Sequence, residues 1–289
     1  MQVRPLAELR SADAALFGGK SASLGELIAA EIPVPPGFGA STAAELEEIA
    51  DAYRALGEPA VAVRSSAIGE DSAETTFAGL QDTYLWVRGA EQVCAAVRDC
   101  RASLDNPEAV SYRERMGIEG EPAMGVTVQV MVDAAISGVM FTCNPVTGDP
   151  SSVAVNASWG LGLAVVGGEV TPDEYRVSKV TGELLRRTIG PKAVEYVAGA
   201  DGAERVDVPA ERQETACLDD ERLAALVEVA RRVERHFGCH QDIEWAIDRD
   251  GELFVVQSRP VTVAPRREAP AGKSAIDLVM GTFGVGKKA

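Results

Sequence analysis

The stretch QDIEWAIDRDGELFVVQSRP, residues 241–260, places two apolar runs on either side of Asp250-Gly251. An Asp-Gly pair between such runs is the strongest short signal for a β-hairpin, because a type I′ turn needs positive φ at both central positions. With those two residues as the loop, Arg249 faces Glu252, Ile247 faces Phe254 and Trp245 faces Val256. Glu244 then faces Gln257, and Asp242 faces Arg259. Side chains alternate between the faces of a strand, so Ile243, Trp245, Ile247, Phe254 and Val256 are expected on one apolar side. Asp242, Glu244, Gln257 and Arg259 gather on the other, at the end remote from the turn.

Four groups that resist desolvation, placed together, need a reason. One reading is a solvated sheet face with a cross-strand Asp242–Arg259 ion pair, worth at most ~1 kcal/mol if exposed. The other is a Mg²⁺–phosphate site. Oxygens from Glu244 and the Gln257 amide suit a hard cation, and the Arg259 guanidinium suits a phosphate oxygen. The neutral amide favours the second reading, since it adds little to a salt bridge.

Composition narrows the possibilities. The chain has 289 residues, 46% of them apolar, enough for one large domain or two intimate ones. No apolar run approaches the ~20 residues of a membrane-spanning helix, and the N-terminal stretch has no secretory pattern. The five scattered cysteines form no CxxC pair, which fits reduced thiols in a cytoplasmic setting. A net charge of −16 repels nucleic acid and anionic membranes, so any bound anion must be held by a few local cations.

Such cations can be named. Gly18-Gly19-Lys20 precedes a helical pattern with Leu24, Leu27 and Ile28 on one face, which would place Lys20 at a helix N-terminus. The spacing is not that of a Walker A loop. Arg64 ends the apolar run 60–67 and is followed by a polar loop through Gly79 to Thr83, either a phosphate clamp or a structural arginine. Gln129 is polar within VTVQVMV and must face solvent or find a specific partner. Residues 41–57, 90–103, 107–115 and 218–237 read as helices, the last with Asp219 or Asp220 as cap and Gly238 as stop. The runs 125–132 and 136–142 read as a strand pair across a short turn. Helices mixed with antiparallel hairpins, without βαβ alternation, argue an α+β fold. His236 and His240, the only histidines, are poor candidates for a nucleophile.

Taken in order, GGKSASLGEL, PVPPGF, AVRSSA, FAGLQDTY, VQVMV, SGVMFT, WGLG, VVGGEVTPDEY, QDIEWA and VVQSRPVT resemble the nucleotide-binding part of the phosphoenolpyruvate synthase and pyruvate phosphate dikinase family. Rifampicin phosphotransferases and the ATP-binding subunit of phenylphosphate synthase are similar too. The resemblance implies an ATP-grasp fold with ATP held between two lobes. These would be a shortened N-terminal lobe over 1–122 and a C-terminal lobe over 123–264, followed by a tail over 265–289. It implies that Lys20, Arg64 and Arg259 act on the phosphates, with Gly79 and Thr83 along a loop over the nucleotide and Gln129 near the adenine. It implies Mg²⁺ and ATP on Glu244 and Gln257, with Asp242 supporting the metal. The implied reaction is ATP + acceptor + H₂O → phosphorylated acceptor + AMP + phosphate, through a histidine on a separate swivelling domain or subunit. Phenol or pyruvate would be the small-molecule acceptor. A non-catalytic module that senses ATP for a partner is the alternative. The short segment between Phe38 and Val61, and Leu163 where the family pattern GLGE carries an acid, motivate it.

Overall fold

The structure, a computed structural model, describes residues 1–67, 83–107, 110, 123–145, 147–199 and 202–261. Strands β1 (Val3–Pro5), β2 (Gly37–Ala40), β3 (Val61–Ala67), β4 (Thr83–Val87) and β5 (Met124–Val130) form one sheet, in the order β1-β2-β5-β3-β4. Strands β6 (Ala134–Phe141), β7 (Ser152–Trp159), β8 (Asp173–Ser178) and β9 (Leu184–Thr188) join β12 (Gln241–Asp248) and β13 (Leu253–Pro260) in a second, ordered β13-β12-β6-β7-β8-β9. Between β9 and β12 in the chain lies a ribbon of β10 (Val194–Gly199) and β11 (Gly202–Asp207). The helices are α1 (Ala14–Phe17), α2 (Gly19–Ala29), α3 (Leu46–Ala55), α4 (Ala90–Ala102), α5 (Leu163–Val166), α6 (Ala210–Gln213) and α7 (Asp220–Phe237). Antiparallel sheets with helices laid on their outer faces make the fold α+β. Two such sheets facing one cleft agree with the two-lobed ATP-grasp organisation that the motifs implied.

Each sheet buries one face. In the first, Val61, Val63, Val126 and Val128 pack under Ile49 and Tyr53 of α3 and Val93 and Val97 of α4. In the second, Ile243, Trp245, Val155 and Tyr175 pack under Leu226, Ala230 and Val233 of α7. The helix α7 follows its sequence signals: Asp219 caps it by accepting from Arg222 N at 2.8 Å, and Gly238 ends it in the left-handed region. Helix α3 begins at Leu46, later than the hydroxyls at 41 and 42 suggested, because Glu45 and Glu48 form the capping box. Of the helix expected over 107–115, most lies outside the described residues.

Two strand expectations need correction. The runs 125–132 and 136–142 do not pair with each other. Strand β5 is inserted between β2 and β3, and β6 between β12 and β7, so Met131–Asp133 is the crossover from one sheet to the other. Each run is a central strand with a neighbour on either side, which a hairpin alone cannot supply. The division expected at 122/123 therefore cuts ahead of a strand that belongs to the first sheet.

The hairpin loop is also one residue longer than its Asp-Gly pair suggested. Asp248 N donates to Glu252 O, closing a three-residue loop of Arg249, Asp250 and Gly251. Only Gly251 has positive φ, at +91°. The Asp248 carboxylate accepts from Asp250 N (2.9 Å) and Glu252 N (2.8 Å), which stabilises this alternative. Near the turn the pairing is therefore shifted, with Trp245 opposite Val255 and Ala246 opposite Phe254. A β-bulge at Val256 restores it, so Glu244 faces Gln257 and Asp242 faces Arg259 as the sequence implied. Val255, not Val256, is consequently the residue buried beside Trp245, and Phe254 is only half-buried.

The second sheet encloses an ion pair that no motif announced. Lys192 and Asp173 are both fully buried, with Nζ 2.5 Å from Oδ1. Asp173 also accepts from Gly190 N, Tyr175 Oη and Cys217 N, which satisfies both carboxylate oxygens. Burial, and then the Asp173 charge, pushes the Tyr175 hydroxyl well above its usual range. All five cysteines are free thiols, four of them buried.

Two substitutions test these assignments by urea unfolding. Trp245→Ala is expected to lose ~3–5 kcal/mol, whereas Glu244→Ala, on the other face of the same strand, loses under about 1 kcal/mol. The reverse ranking would overturn the face assignment. Lys192→Met leaves the buried Asp173 charge uncompensated and is expected to lose ~3–5 kcal/mol, with Asp173→Asn added to it recovering part of that loss.

Candidate functional site

The site begins at the first turn of α2. Gly18 has φ of +79°, and a Cβ there would lie 2.1 Å from Ser66 Oγ, so the turn into the helix requires glycine. That close approach sets the helix N-terminus on β3. Lys20 N donates to Ser66 Oγ at 3.1 Å, and Lys20 Nζ donates to Ser65 O at 2.9 Å. Lys20 is only 8% exposed. The next turn ties both sheets: Ser21 Oγ lies 2.7 Å from Thr127 Oγ1 on β5, and Ser23 Oγ donates to Ser258 O on β13 at 2.8 Å.

Arg64 crosses from β3 to the hairpin. Its Nη1 lies 3.3 Å from the carbonyl oxygen of Val256, 3.3 Å from Gln257 Oε1 and 3.5 Å from Glu244 Oε2. The first of these acceptors is the bulge residue. Arg64 Nε is buried and finds no hydrogen-bond partner among the described residues, so the guanidinium keeps a donor in reserve.

At the far end of the hairpin Arg259 Nε donates to Asp242 Oδ2 at 2.9 Å. Burial pushes the Asp242 carboxyl above the usual carboxylate range, with Glu244 adding repulsion and Arg259 pulling the other way. The ion pair of the first reading thus exists, within a site that has the components of the second.

These groups border one cleft of about 480 Å³ between the two sheets. Lys20, Arg64, Thr83, Glu244, Gln257 and Arg259 all line it. Its remaining wall is apolar, built from residues such as Leu85, Val132, Leu161 and Ala246. The lining thus combines three cations with a large apolar surface, which suits an anionic ligand that also carries an apolar part. Asp242 does not line the cleft and touches it through Arg259. Gln129 does not line it either: its side chain is 2% exposed and donates to Pro35 O at 3.4 Å. Gly79 lies outside the described residues. The histidines are elsewhere, His236 beside Glu26 and His240 beside Glu234.

Sequence reasoning missed several walls of the cleft. Met131 and Val132 come from the crossover, Ala134 from the start of β6 and Val166 from the short helix α5. The Val256 carbonyl could not be found either, because a bulge leaves no residue signature. The glycines of WGLG were the one available signal for α5.

A divalent cation fits the donor chemistry at the hairpin. Glu244 offers a carboxylate and Gln257 an amide oxygen, both hard ligands. Among the described residues no group of three or more His, Cys, Asp or Glu side chains converges. Such a cation would draw its other ligands from phosphate oxygens and water, as Mg²⁺ does. No described helix is long and apolar enough to cross a membrane.

Comparison with known proteins adds an independent line. Residues 42–278 match the family of the pyruvate phosphate dikinase AMP/ATP-binding domain. The probable phosphoenolpyruvate synthase of Methanothermobacter thermautotrophicus is 39% identical over 310 residues, covering 88% of this chain and 45% of that protein. The phosphoenolpyruvate synthase of Pyrococcus furiosus is 43% identical over 240 residues, covering 78% of this chain and 29% of that protein. The chain thus spans less than half the length of these relatives. A solved structure from Pyrococcus horikoshii aligns over 90% of this chain and 97% of its own, with a TM-score of 0.48 and 14% identity. With most of its length matched by the family profile, the chain belongs to the pyruvate phosphate dikinase AMP/ATP-binding domain family.

Proposed function

We propose that the chain binds Mg-ATP in this cleft and serves as the ATP-binding part of a dikinase-type phosphotransferase. The phosphoryl group would pass to a histidine on a separate swivelling domain or subunit, and from there to a small acceptor such as phenol or pyruvate. The observation that carries this reading is the convergence of Lys20, Arg64 and Arg259, from three separate segments, on the cleft that also holds Glu244 and Gln257. In a chain of net charge −16, three cations do not meet at one concave site without an anion to hold.

The roles follow from position. Lys20, held over Ser65, and Arg64, with its spare Nε, would bind phosphate oxygens. Arg259, oriented by Asp242, would offset charge as the phosphoryl group moves. Phosphoryl transfer needs chiefly positioning and charge neutralisation, and these side chains supply both without a nucleophile of their own. Glu244 and Gln257 would hold Mg²⁺, which contributes further neutralisation of the phosphates. The apolar wall would take the base, with Thr83 of β4 also in the lining. The division into an N-terminal and a C-terminal lobe is best drawn at the Met131–Asp133 crossover.

A second reading has one observation in its favour. Leu163, 36% exposed at the cleft, stands where the family pattern carries an acid. A module that binds ATP and regulates a partner without transferring phosphate would tolerate that change.

The test supplies the chain with ATP labelled at its β and γ positions. The partner is the part of the Methanothermobacter relative outside the matched region, used once circular dichroism shows it folded. Acid-labile label on a histidine of that partner is expected. Tight ATP binding with no label moved would favour the sensing module. Glu244→Ala and Arg259→Ala are each expected to lower transfer at least ~100-fold, the Glu244 variant with its melting temperature nearly unchanged.

The Arg259 variant also carries a pH signature. Asp242 has a raised pKa in the folded protein, so its contribution opposes folding as pH rises through the ordinary carboxylate range. Removing Arg259 deepens that penalty. The stability difference between wild type and Arg259→Ala, measured by urea unfolding, should be largest at neutral pH and shrink on acidification. A constant difference would show that the pair is not electrostatically coupled.

A further inference from the structure

The apolar wall of the cleft is backed by residues that do not border it. Ala134, Leu161 and Ala246 form a small buried cluster that lines the cleft, with Met131 and Val132 packed against it. Trp86, Tyr196 and Ala203 pack on the same cluster without lining the cleft. Trp86 lies on β4, an edge strand of the first sheet, whereas Tyr196 and Ala203 belong to the β10–β11 ribbon.

A bulge puts Trp86 there. Val61 pairs with Val87 and Val63 with Tyr84, so Leu85 and Trp86 together oppose Ala62. Tyr84 and Val87 both pack on the core of the first sheet. The two residues between them are turned to the other side: Leu85 lines the cleft with Ala62, and Trp86 reaches the cluster.

This placement carries two costs. Trp86 has φ of +59°, a region that bulky side chains avoid. Glu31 and Glu58, the other non-glycine residues with positive φ among those described, lie in exposed turns after helices. The Trp86 Nε1 is buried and has no hydrogen-bond partner among the described residues. Such costs persist where the surrounding structure imposes them, most often beside a functional site.

The ribbon can impose them because it is fixed at its base. Asp173 accepts from Gly190 N and Lys192 Nζ ahead of β10, and from Cys217 N beyond β11. Tyr196 O accepts from Leu161 N at 2.8 Å, and Glu169 accepts from both Tyr196 Oη and Arg205 Nε. Strand β11 in turn meets β4, which makes the ribbon and Trp86 a brace between the two sheets.

We infer that Trp86 is a positioning residue for the apolar part of the ligand: braced on the ribbon, it sets the spacing between Leu85 of β4 and Leu161 beyond β7. The inference rests on the nucleotide reading of the cleft, in which that part is the base. Trp86 acts through the wall and not by contact with the ligand. Lys20, Arg64 and Arg259 stand on other segments, so the brace bears on the base and not on the phosphates.

Isothermal titration with two probes separates this role from a merely structural one. Mg-ATP reports on the whole cleft, and Mg-tripolyphosphate on its cations alone. Trp86→Ala is expected to weaken ATP binding about tenfold or more and to leave tripolyphosphate binding unchanged. Trp86→Phe keeps a ring and drops only an N–H that has no partner, so most of the ATP affinity should return. Trp86→Asn suits the left-handed backbone but lacks the ring, and is expected to bind ATP as weakly as Trp86→Ala. Equal loss of both probes in Trp86→Ala would make the residue structural and overturn the inference, as would Trp86→Asn binding ATP like the wild type. In either case the nucleotide reading stands, since ATP binding by the wild type carries it. A wild type that takes up tripolyphosphate but not ATP would sink that reading, and the inference with it.

Discussion

The seating of α2 against both sheets is the constraint on which the rest depends. Its first turn is fixed by Gly18 against Ser66 and by Lys20 on the backbone of β3, while Ser23 reaches the backbone of β13. Leu24 and Leu27, on its inner face, join the core that contains Trp245 and Ile243. One short helix thus belongs to the packing of the second sheet while its N-terminus is hydrogen-bonded to the first. Small side chains at 18, 19, 21, 22 and 23 allow that approach. Longer ones would hold the sheets apart and open the cleft that Lys20 borders.

Within that frame, a single bulge aims the chemistry. Without Val256 as an extra residue, the shift imposed by the three-residue loop would run the length of the hairpin. The pairing of Glu244 with Gln257 and Asp242 with Arg259 would then be lost. The bulge absorbs the shift and presents a carbonyl to Arg64. Loop, bulge and site are therefore one design: the turn chemistry of Asp248 creates an offset that the bulge cancels just before the functional end.

Electrostatics is arranged in the same local way. Carboxylates dominate the chain, yet the cleft gathers Lys20, Arg64 and Arg259 with Glu244 as the one acid among its described walls. Asp242 is set back, paired with Arg259, so it orients a cation instead of competing with it. A site of this kind keeps its affinity for anions short-ranged, since the surrounding surface repels them until they reach the cleft.

The sequence by itself determined the α+β class, the helices over 19–29 and 220–237, and the gathering of Glu244, Gln257, Asp242 and Arg259 on one face. Those features rest on local periodicity, capping and pairing parity, which are written residue by residue. Tertiary structure alone decided that 124–130 and 134–141 part company. Apolar runs on both sides of three residues look alike whether they pair with each other or with partners a hundred residues away. It also decided which polar groups meet. Gln129 was visible as an anomaly but turned to Pro35, and the buried Lys192–Asp173 pair carried no signal, because each partner is an ordinary surface residue until the fold encloses it. Long-range proximity is set by burial of faces that no short window of sequence specifies, so the sequence named the groups and the packing chose their company.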